Sequence, residues 1–421
     1  MKQIYNTTDN PLVQGIKTIG IGKHGSKPLP LPLLEEIITY LDSPDVVPVQ
    51  KGAFYGALMA KGATEEEKAL LKQPGTETPY TVEELYAHLC TDAPAEMRET
   101  GIKLLKKESL SLQEAKKLGD FLYSGLPGET FRGMAVSMMR IRYETEEEYQ
   151  GLMEAAVNTF SPEFREETTA PALTIQLAEP FDGVEHSYMI TPLIAMAMQQ
   201  AGHPVVVSTG RSSGPKLGLN ARDIYQALGG PFIQSKGQPE DNSPLFGRAL
   251  DQKDLSPALD EWVDRRRLIF KRPFLATAEK VLNPCGAQIL ITSVFHLTYM
   301  EKMVRLAAMN GFSGVIVLKR GLEGTLAPSI AKASGILCAA KQADGSFITT
   351  TIEANNEAFT AYRAEADDNV EPLLPEDNLE LIRRYAENGA TGNNDFDKRT
   401  GLALALYREG LNWIKKNLTT G

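Results

Sequence analysis

The residues of this 421-residue chain best suited to chemistry are those that could hold an oxyanion. Arg211, Ser212, Ser213, Gly214 and Lys216 gather cations and hydroxyls in one short stretch. That donor set suits phosphate or carboxylate, and it is equally the composition of a solvated loop. Arg265, Arg266, Arg267, Lys271 and Arg272 form a second cationic run, with the planar fork of arginine suited to bidentate anion contacts. Thr191 before Pro192 has the form of a helix start. Its hydroxyl could meet a metal or phosphate, or simply cap the helix with Pro192 at the first helical position. Other constellations are weaker. His24, His88, His186, His203 and His296 show no paired metal-ligand spacing, and His203 before Pro204 reads as a turn. The glycines from Gly210 to Gly218 match neither a Walker A loop nor GxGxxG after a strand.

The elements that must position these residues fall into two kinds. Residues 1–170 read as a helical domain, with apolar positions at helical spacing over 33–41 and 52–59. Within it, Gly52-Ala53-Phe54 through Thr64-Glu65-Glu66-Glu67 and Gly133-Met134-Ala135 through Thr145-Glu146-Glu147-Glu148 share their spacing without a gap. Each has an apolar helix, a polar turn, then a Thr with Glu three residues on. The pattern is either a duplicated helical hairpin or two independent capping boxes. After Pro171 come β-branched runs at 173–177, 205–208, 288–294, 315–318 and 347–352, several separated by helical stretches. Residues 171–421 are therefore expected to form an α/β domain with a mostly parallel sheet. Asn283-Pro284-Cys285-Gly286 predicts a turn into the buried strand at 288–294. The acidic runs 144–148 and 365–368 read as solvated helix starts or loops.

Composition bounds the function. Hydrophobic residues make up 42% and charged residues 23%, ordinary globular usage that favours a soluble protein over a disordered or membrane one. No apolar run approaches the ~18 residues of a spanning helix. Cys90, Cys285 and Cys338 contain no CxxC pair, so a reducing cytoplasm is the expected location. The net charge of -10 weighs against nucleic acid unless a local basic patch overrides it.

A family resemblance enters at Arg272-Pro273-Phe274-Leu275-Ala276-Thr277-Ala278-Glu279-Lys280-Val281-Leu282-Asn283-Pro284, which resembles the Arg-to-Asn-Pro motif of anthranilate phosphoribosyltransferases, of the nucleoside phosphorylase class (glycosyltransferase family 3). Ser293-Val294-Phe295-His296, then Gly314-Val315-Ile316-Val317-Leu318, resembles the family's next strand, helix and strand. Upstream, Ala201-Gly202-His203-Pro204-Val205-Val206-Val207 and Asp223-Ile224-Tyr225-Gln226-Ala227-Leu228-Gly229 follow its helix–strand–loop–helix order. With C-terminal helices at 378–388 and 399–410, the resemblance covers most of residues 110–421. The opening Gly20-Ile21-Gly22-Lys23-His24-Gly25-Ser26-Lys27-Pro28-Leu29 resembles a divergent branch in which some members bind nucleic acid instead of catalysing the reaction.

The resemblance implies a site for a phosphoribosyl donor, an acceptor and magnesium, in a cleft between the two domains. Of the family's Gly-Thr-Gly-Gly-Asp loop, here Ala178-Glu179-Pro180-Phe181-Asp182-Gly183, only Asp182 and Gly183 match. Pro180 removes an amide donor, and Glu179 is expected to place negative charge beside phosphate. Thr191 stands in the Asn-Ile-Ser-Thr motif; Ser208-Thr209-Gly210-Arg211 replaces Lys-His-Gly-Asn; Glu323-Gly324 replaces the Asp-Glu metal motif. Asp182, Gly183, Thr191, Arg211 and Lys216 would then face phosphate, Arg272 the acceptor, and Glu323 a magnesium ion. The implied protein is a homodimeric, divergent glycosyltransferase (pentosyltransferase) of the phosphoribosyltransferase family that binds an anionic or phosphorylated small molecule, with ordinary anthranilate phosphoribosyltransferase activity absent or very weak. The alternative is a non-catalytic binder of single-stranded nucleic acid or another polyanion through the Arg265–Arg272 cations.

Overall fold

A computed structural model describes residues 7–20, 25–165, 173–214, 216, 218–236, 244–332, 334–365 and 370–419. The chain forms two compact units. One comprises Met1–Thr159, Ser213–Pro215 and Glu261–Ala276; the other comprises Phe160–Ser212, Lys216–Asp260 and Thr277–Gly421. The expected boundary at 170–171 lies outside the described residues, as do residues 21–24 of the opening motif and 366–368 of the second acidic run.

The first unit is helical: α1 (Pro11–Ile19), α2 (Leu31–Leu41), α3 (Pro48–Lys61), α4 (Val82–Leu89), α5 (Arg98–Leu105), α6 (Leu112–Leu122), α7 (Glu129–Arg142) and α8 (Glu146–Val157). Ser111 and Thr145 each begin a helix with a reciprocal capping box, closed by Glu114 and Glu148. Thr64 and Glu67 exchange the same two hydrogen bonds, 2.8 and 3.3 Å, but a 3-10 turn follows instead of an α-helix. Glu67 and Glu148 have matching surroundings. Each accepts from a distant amide, Leu29 and Leu110 respectively, and each pairs with the cation ending the preceding helix, Lys61 or Arg142. Glu148 is therefore fully buried, which corrects the expectation that residues 144–148 are all solvated.

Helices α3 and α7 approach closely at their glycines. A Cβ on Gly52 would lie 1.8 Å from the Thr130 carbonyl oxygen, and one on Gly133 would lie 2.0 Å from that of Val49. One constant sequence offset carries Gly52 to Gly133, Val49 to Thr130, and the bounds of α2 and α3 to those of α6 and α7.

The second unit has a seven-stranded sheet: β1 (Ile175–Ala178), β2 (Val205–Thr209), β3 (Arg248–Asp251), β4 (Ile289–Val294), β5 (Gly314–Lys319), β6 (Gly335–Lys341) and β7 (Phe347–Glu353). The order is β3-β2-β1-β4-β5-β6-β7, parallel from β3 through β5 and antiparallel for β6 and β7. Its helices are α9 (Thr191–Gln200), α10 (Ala221–Leu228), α11 (Gln252–Leu255), α14 (Met300–Met309), α15 (Pro375–Asn388) and α16 (Asn394–Asn417), with α12 (Pro257–Ile269) and α13 (Leu275–Val281) where the chain passes between units. This is the expected α/β architecture. Strands β1, β2 and β4 are buried along their whole length, as their continuous apolar runs require when both faces are covered. The turn before β4 is held by Asn283, whose side chain accepts from the Ala287 amide at 2.8 Å and donates to its carbonyl at 2.9 Å.

Ile175 pairs with Val205 on one side and Ile289 on the other, so β1 is central and the strand order reverses between β1 and β4. In open α/β sheets, the crevice beyond the carboxyl ends of the strands at such a reversal is where ligands bind.

Candidate functional site

Three loops meet beyond that edge of the sheet, following β1, β2 and β5. Asn220 joins the first two: as N-cap of α10 it accepts from the Asp223 amide, and it donates to the carbonyls of Phe181 and Gly210 at 3.1 and 3.0 Å. Gly183 has φ of 78°, and a Cβ there would sit 2.3 Å from the Gly218 carbonyl oxygen, so glycine is required on two grounds. The Val184 amide donates to Leu219 at 2.9 Å, and the Gly218 amide to the Asp182 carbonyl at 3.2 Å. Asp182 is fully buried beneath this pairing. Thr191 is also fully buried, at the first position of α9. Ile190 is the N-cap, Pro192 follows at the second helical position, and among the described residues the Thr191 hydroxyl has no hydrogen-bond partner. This corrects the reading of Thr191 as an ordinary N-cap.

Glu323 is the centre of the third loop. Its Oε2 accepts from the amides of Glu185 and His186 at 2.7 and 2.8 Å, while Oε1 pairs with the Lys216 ammonium. Ser187 and Thr325 hydroxyls meet at 3.1 Å alongside. Glu323 itself has φ of 54°, a left-handed conformation that costs a non-glycine residue about 1 kcal/mol or more. Two adjacent amides and one ammonium are the donor set of an oxyanion site.

In the segment aligned with the family's donor loop, Ala178, Glu179, Phe181 and Asp182 are all buried. Phe181 is buried, and a Cβ on Gly210 would lie 2.5 Å from its ring. Between Phe181, Ser208, Thr209, Gln252 and Glu279 there remains a cavity of about 20 Å³, room for about one water. Glu179 is 2% exposed with neither carboxyl oxygen in full hydrogen-bond geometry, although the Leu326 amide and Lys280 both favour its ionised form. Burial outweighs them and pushes the carboxyl up to about 8. Burial thus favours the neutral carboxyl over the negative charge expected beside phosphate. Lys280, also buried, donates to the Ser293 carbonyl at 2.9 Å. A roomier recess of about 530 Å³ lies beside β5, β6 and β7, where Lys319 and Glu353 already neutralise each other at 2.7 Å.

The cationic candidates divide. Arg211 grips Asp260, with Nε 2.9 and 3.1 Å from the carboxylate oxygens and a further bond to the Asp260 carbonyl. It is an internal clamp. Arg272 is half-buried and belongs to the helical unit, whereas Asp182, Gly183, Thr191, Arg211, Lys216 and Glu323 belong to the α/β unit. The Arg265–Arg272 run is not an exposed basic face. Arg265 pairs with Glu129 at 2.9 Å, Arg266 is fully buried, Arg267 lies 3.7 Å from Asp264, and Lys271 is buried with its ammonium donating to the Ser137 hydroxyl. Burial and the nearby Arg140 pull that ammonium down to about 7.

Both Glu323 oxygens are committed to donors, so Glu323 is not a free ligand for magnesium, and among the described residues no group of three or more His, Cys, Asp or Glu side chains forms a metal cage. The Glu185 and His186 amides have no signature in the sequence, since any residue type supplies a backbone amide. Only the glycine at 183, two positions earlier, marks the turn that presents them.

No family model matches the chain. It is 25% identical over 222 residues to an uncharacterised protein of Aquifex aeolicus, a match that spans 52% of this chain and 65% of that protein's length. Among solved structures it is similar to anthranilate phosphoribosyltransferase from Thermus thermophilus, with a TM-score of 0.56 and 17% identity, over 75% of this chain and 89% of that one. The Saccharomyces cerevisiae enzyme in complex with 4-fluoroanthranilate gives 0.55 and 14%, over 74% and 88%. The same yeast enzyme with PRPP and Mg gives 0.49 and 12%, over 97% and 92%. The chain has the anthranilate phosphoribosyltransferase fold. Among the described residues, no helix is long and apolar enough to cross a membrane.

Proposed function

We propose that this protein is a divergent member of the anthranilate phosphoribosyltransferase scaffold, which binds a phosphorylated or anionic small molecule but has lost ordinary anthranilate phosphoribosyl transfer. The observation that carries the reading is the closure of the donor loop: Phe181 fills the position the family leaves to glycine, and about 20 Å³ remains beside it. Pro180 offers no amide, and Ser208 stands where the family has lysine. Each charge-assisted hydrogen bond lost is worth roughly 1.5–3 kcal/mol, so two together lower donor affinity by a few orders of magnitude. Retention of anion binding is supported by the donors gathered around Glu323. Asp182 and Gly183 precede those amides on the loop after β1, Thr191 follows them at the start of α9, Lys216 supplies the cation, and Arg211 acts through Asp260. Arg272 is assigned to the acceptor side. The protein is further proposed to be a cytoplasmic homodimer whose helical unit arose by internal duplication.

Calorimetric titration with phosphoribosyl pyrophosphate, with and without magnesium, tests the reading in the natural protein and in Arg272→Ala. Weak binding of phosphoribosyl pyrophosphate, unaffected by Arg272→Ala, is expected, and in a parallel titration Arg272→Ala is expected to weaken binding of the carboxylate acceptor anthranilate. Absence of any phosphoribosyl pyrophosphate binding overturns the reading, and anthranilate binding unchanged by Arg272→Ala removes the acceptor-side role.

A further inference from the structure

We infer that the Glu185 and His186 amides together with the Lys216 ammonium form a receptor for one phosphate group, and that Glu323 occupies it as an internal competitor. The inference rests on the anion-binding reading above and deepens it, by naming the cradle and the group that must leave it. Three features converge. The donors are those a phosphate would use: two consecutive amides at 2.7 and 2.8 Å from one oxygen, and an ammonium against the other. The carboxylate reaches them from a residue held at φ of 54°, a left-handed conformation uncommon for a non-glycine residue. The cradle also opens to solvent: Glu185 and His186 are exposed, and the Lys216 and Glu323 side chains keep 22% and 17% of their surface.

A carboxylate offers two oxygens to these donors, whereas a phosphate offers three with greater charge. An incoming phosphate therefore exchanges for Glu323 with the same donors satisfied. The His186 ring stays outside the exchange, because its Nδ1 donates to the Val370 carbonyl at 2.9 Å. The Ser187 and Thr325 hydroxyls, already in contact, tie the two loops together and hold the cradle's shape when the carboxylate leaves. Glu323 thus occupies a ligand position instead of holding a metal.

The experiment is calorimetric titration of the full chain with inorganic phosphate and, separately, ribose 5-phosphate, in the natural protein, Glu323→Ala, Glu323→Gln and Glu323→Ala with Lys216→Met. Removing the tethered competitor is expected to tighten phosphate binding about ten-fold or more in Glu323→Ala and less in Glu323→Gln, which keeps one acceptor. Adding Lys216→Met cancels the gain. A larger gain for ribose 5-phosphate than for phosphate assigns the cradle to a phosphomonoester, and an equal gain assigns it to free phosphate. If Glu323→Ala fails to fold, Glu323→Gln decides. Folded variants that bind phosphate no better than the natural protein overturn the inference. That result, beside a natural protein that binds phosphoribosyl pyrophosphate, leaves the anion-binding reading standing. Variants that gain binding when the natural protein binds nothing sustain the competitor and overturn that reading.

Discussion

Glu179 and Lys271 carry the charge effects with the clearest consequences for stability, because both are buried and burial is the largest influence on each. The Glu179 carboxyl is raised to about 8 by burial, from an ordinary value of 4.5. The folded protein therefore binds the extra proton more tightly than the unfolded chain. The associated stability is full below about pH 4.5, declines as pH rises, and is lost above about 8. Replacing Glu179 by Gln should flatten this decline, worth on the order of a few kcal/mol, in urea melts from about pH 5 to about pH 9. Lys271 has the opposite sign. Its ammonium is lowered to about 7, so the burial penalty is complete below that pH and is relieved as pH rises toward the unfolded value of 10.5. Lys271→Met is expected to stabilise the protein by roughly 1–3 kcal/mol below pH 7, with the benefit shrinking in alkali. A melting temperature unchanged in acid would contradict it. Sequence showed that a glutamate stands at 179 and a lysine at 271, but not that each is sealed from solvent. It therefore read the first as a repelling charge and the second as part of an anion patch.

Among the elements, α3 and α7 make the most exacting contact. Gly52→Ala or Gly133→Ala would put a methyl group about 2 Å from a backbone oxygen on the facing helix, so the helices must part. Each substitution is expected to cost about 1–3 kcal/mol or more, measured by denaturant midpoint, despite alanine's better helix propensity. Equal stability would contradict the close approach. The helices themselves were legible: apolar spacing announced α2 and α3, and the repeated Gly-to-Glu pattern marks both halves of this contact. Five strands were also legible through their β-branched runs. Strand β3 was not, because Arg248–Asp251 has four residues with no β-branched member. Strand β6 was not, because Gly335–Lys341 mixes Gly, Cys and Ala with a single Ile, and its pairing to β5 and β7 supplies what propensity lacks.

For the whole molecule, motif order carried the fold, since the Arg272 to Pro284 segment and the strands around it follow one order along the chain. The site was less legible. Asp182, Gly183, Lys216 and Glu323 all lie in or beside the loops beyond the sheet edge, but their partners come from backbone amides and from loops far apart in sequence. Arg211 looked like a ligand because a free guanidinium and one clamped to Asp260 have the same sequence signature. Gly183→Ala is expected to disturb all three loops, because its positive φ and its approach to Gly218 both exclude a side chain. Loss of phosphate binding with a melting temperature lowered by several degrees would be its signature. The central claim, a retained scaffold with a closed donor loop, is tested most directly by measuring phosphoribosylanthranilate formation from phosphoribosyl pyrophosphate, magnesium and anthranilate. A folded protein with a closed donor loop is expected to show no turnover above background; efficient turnover would mean that the loop still receives the donor.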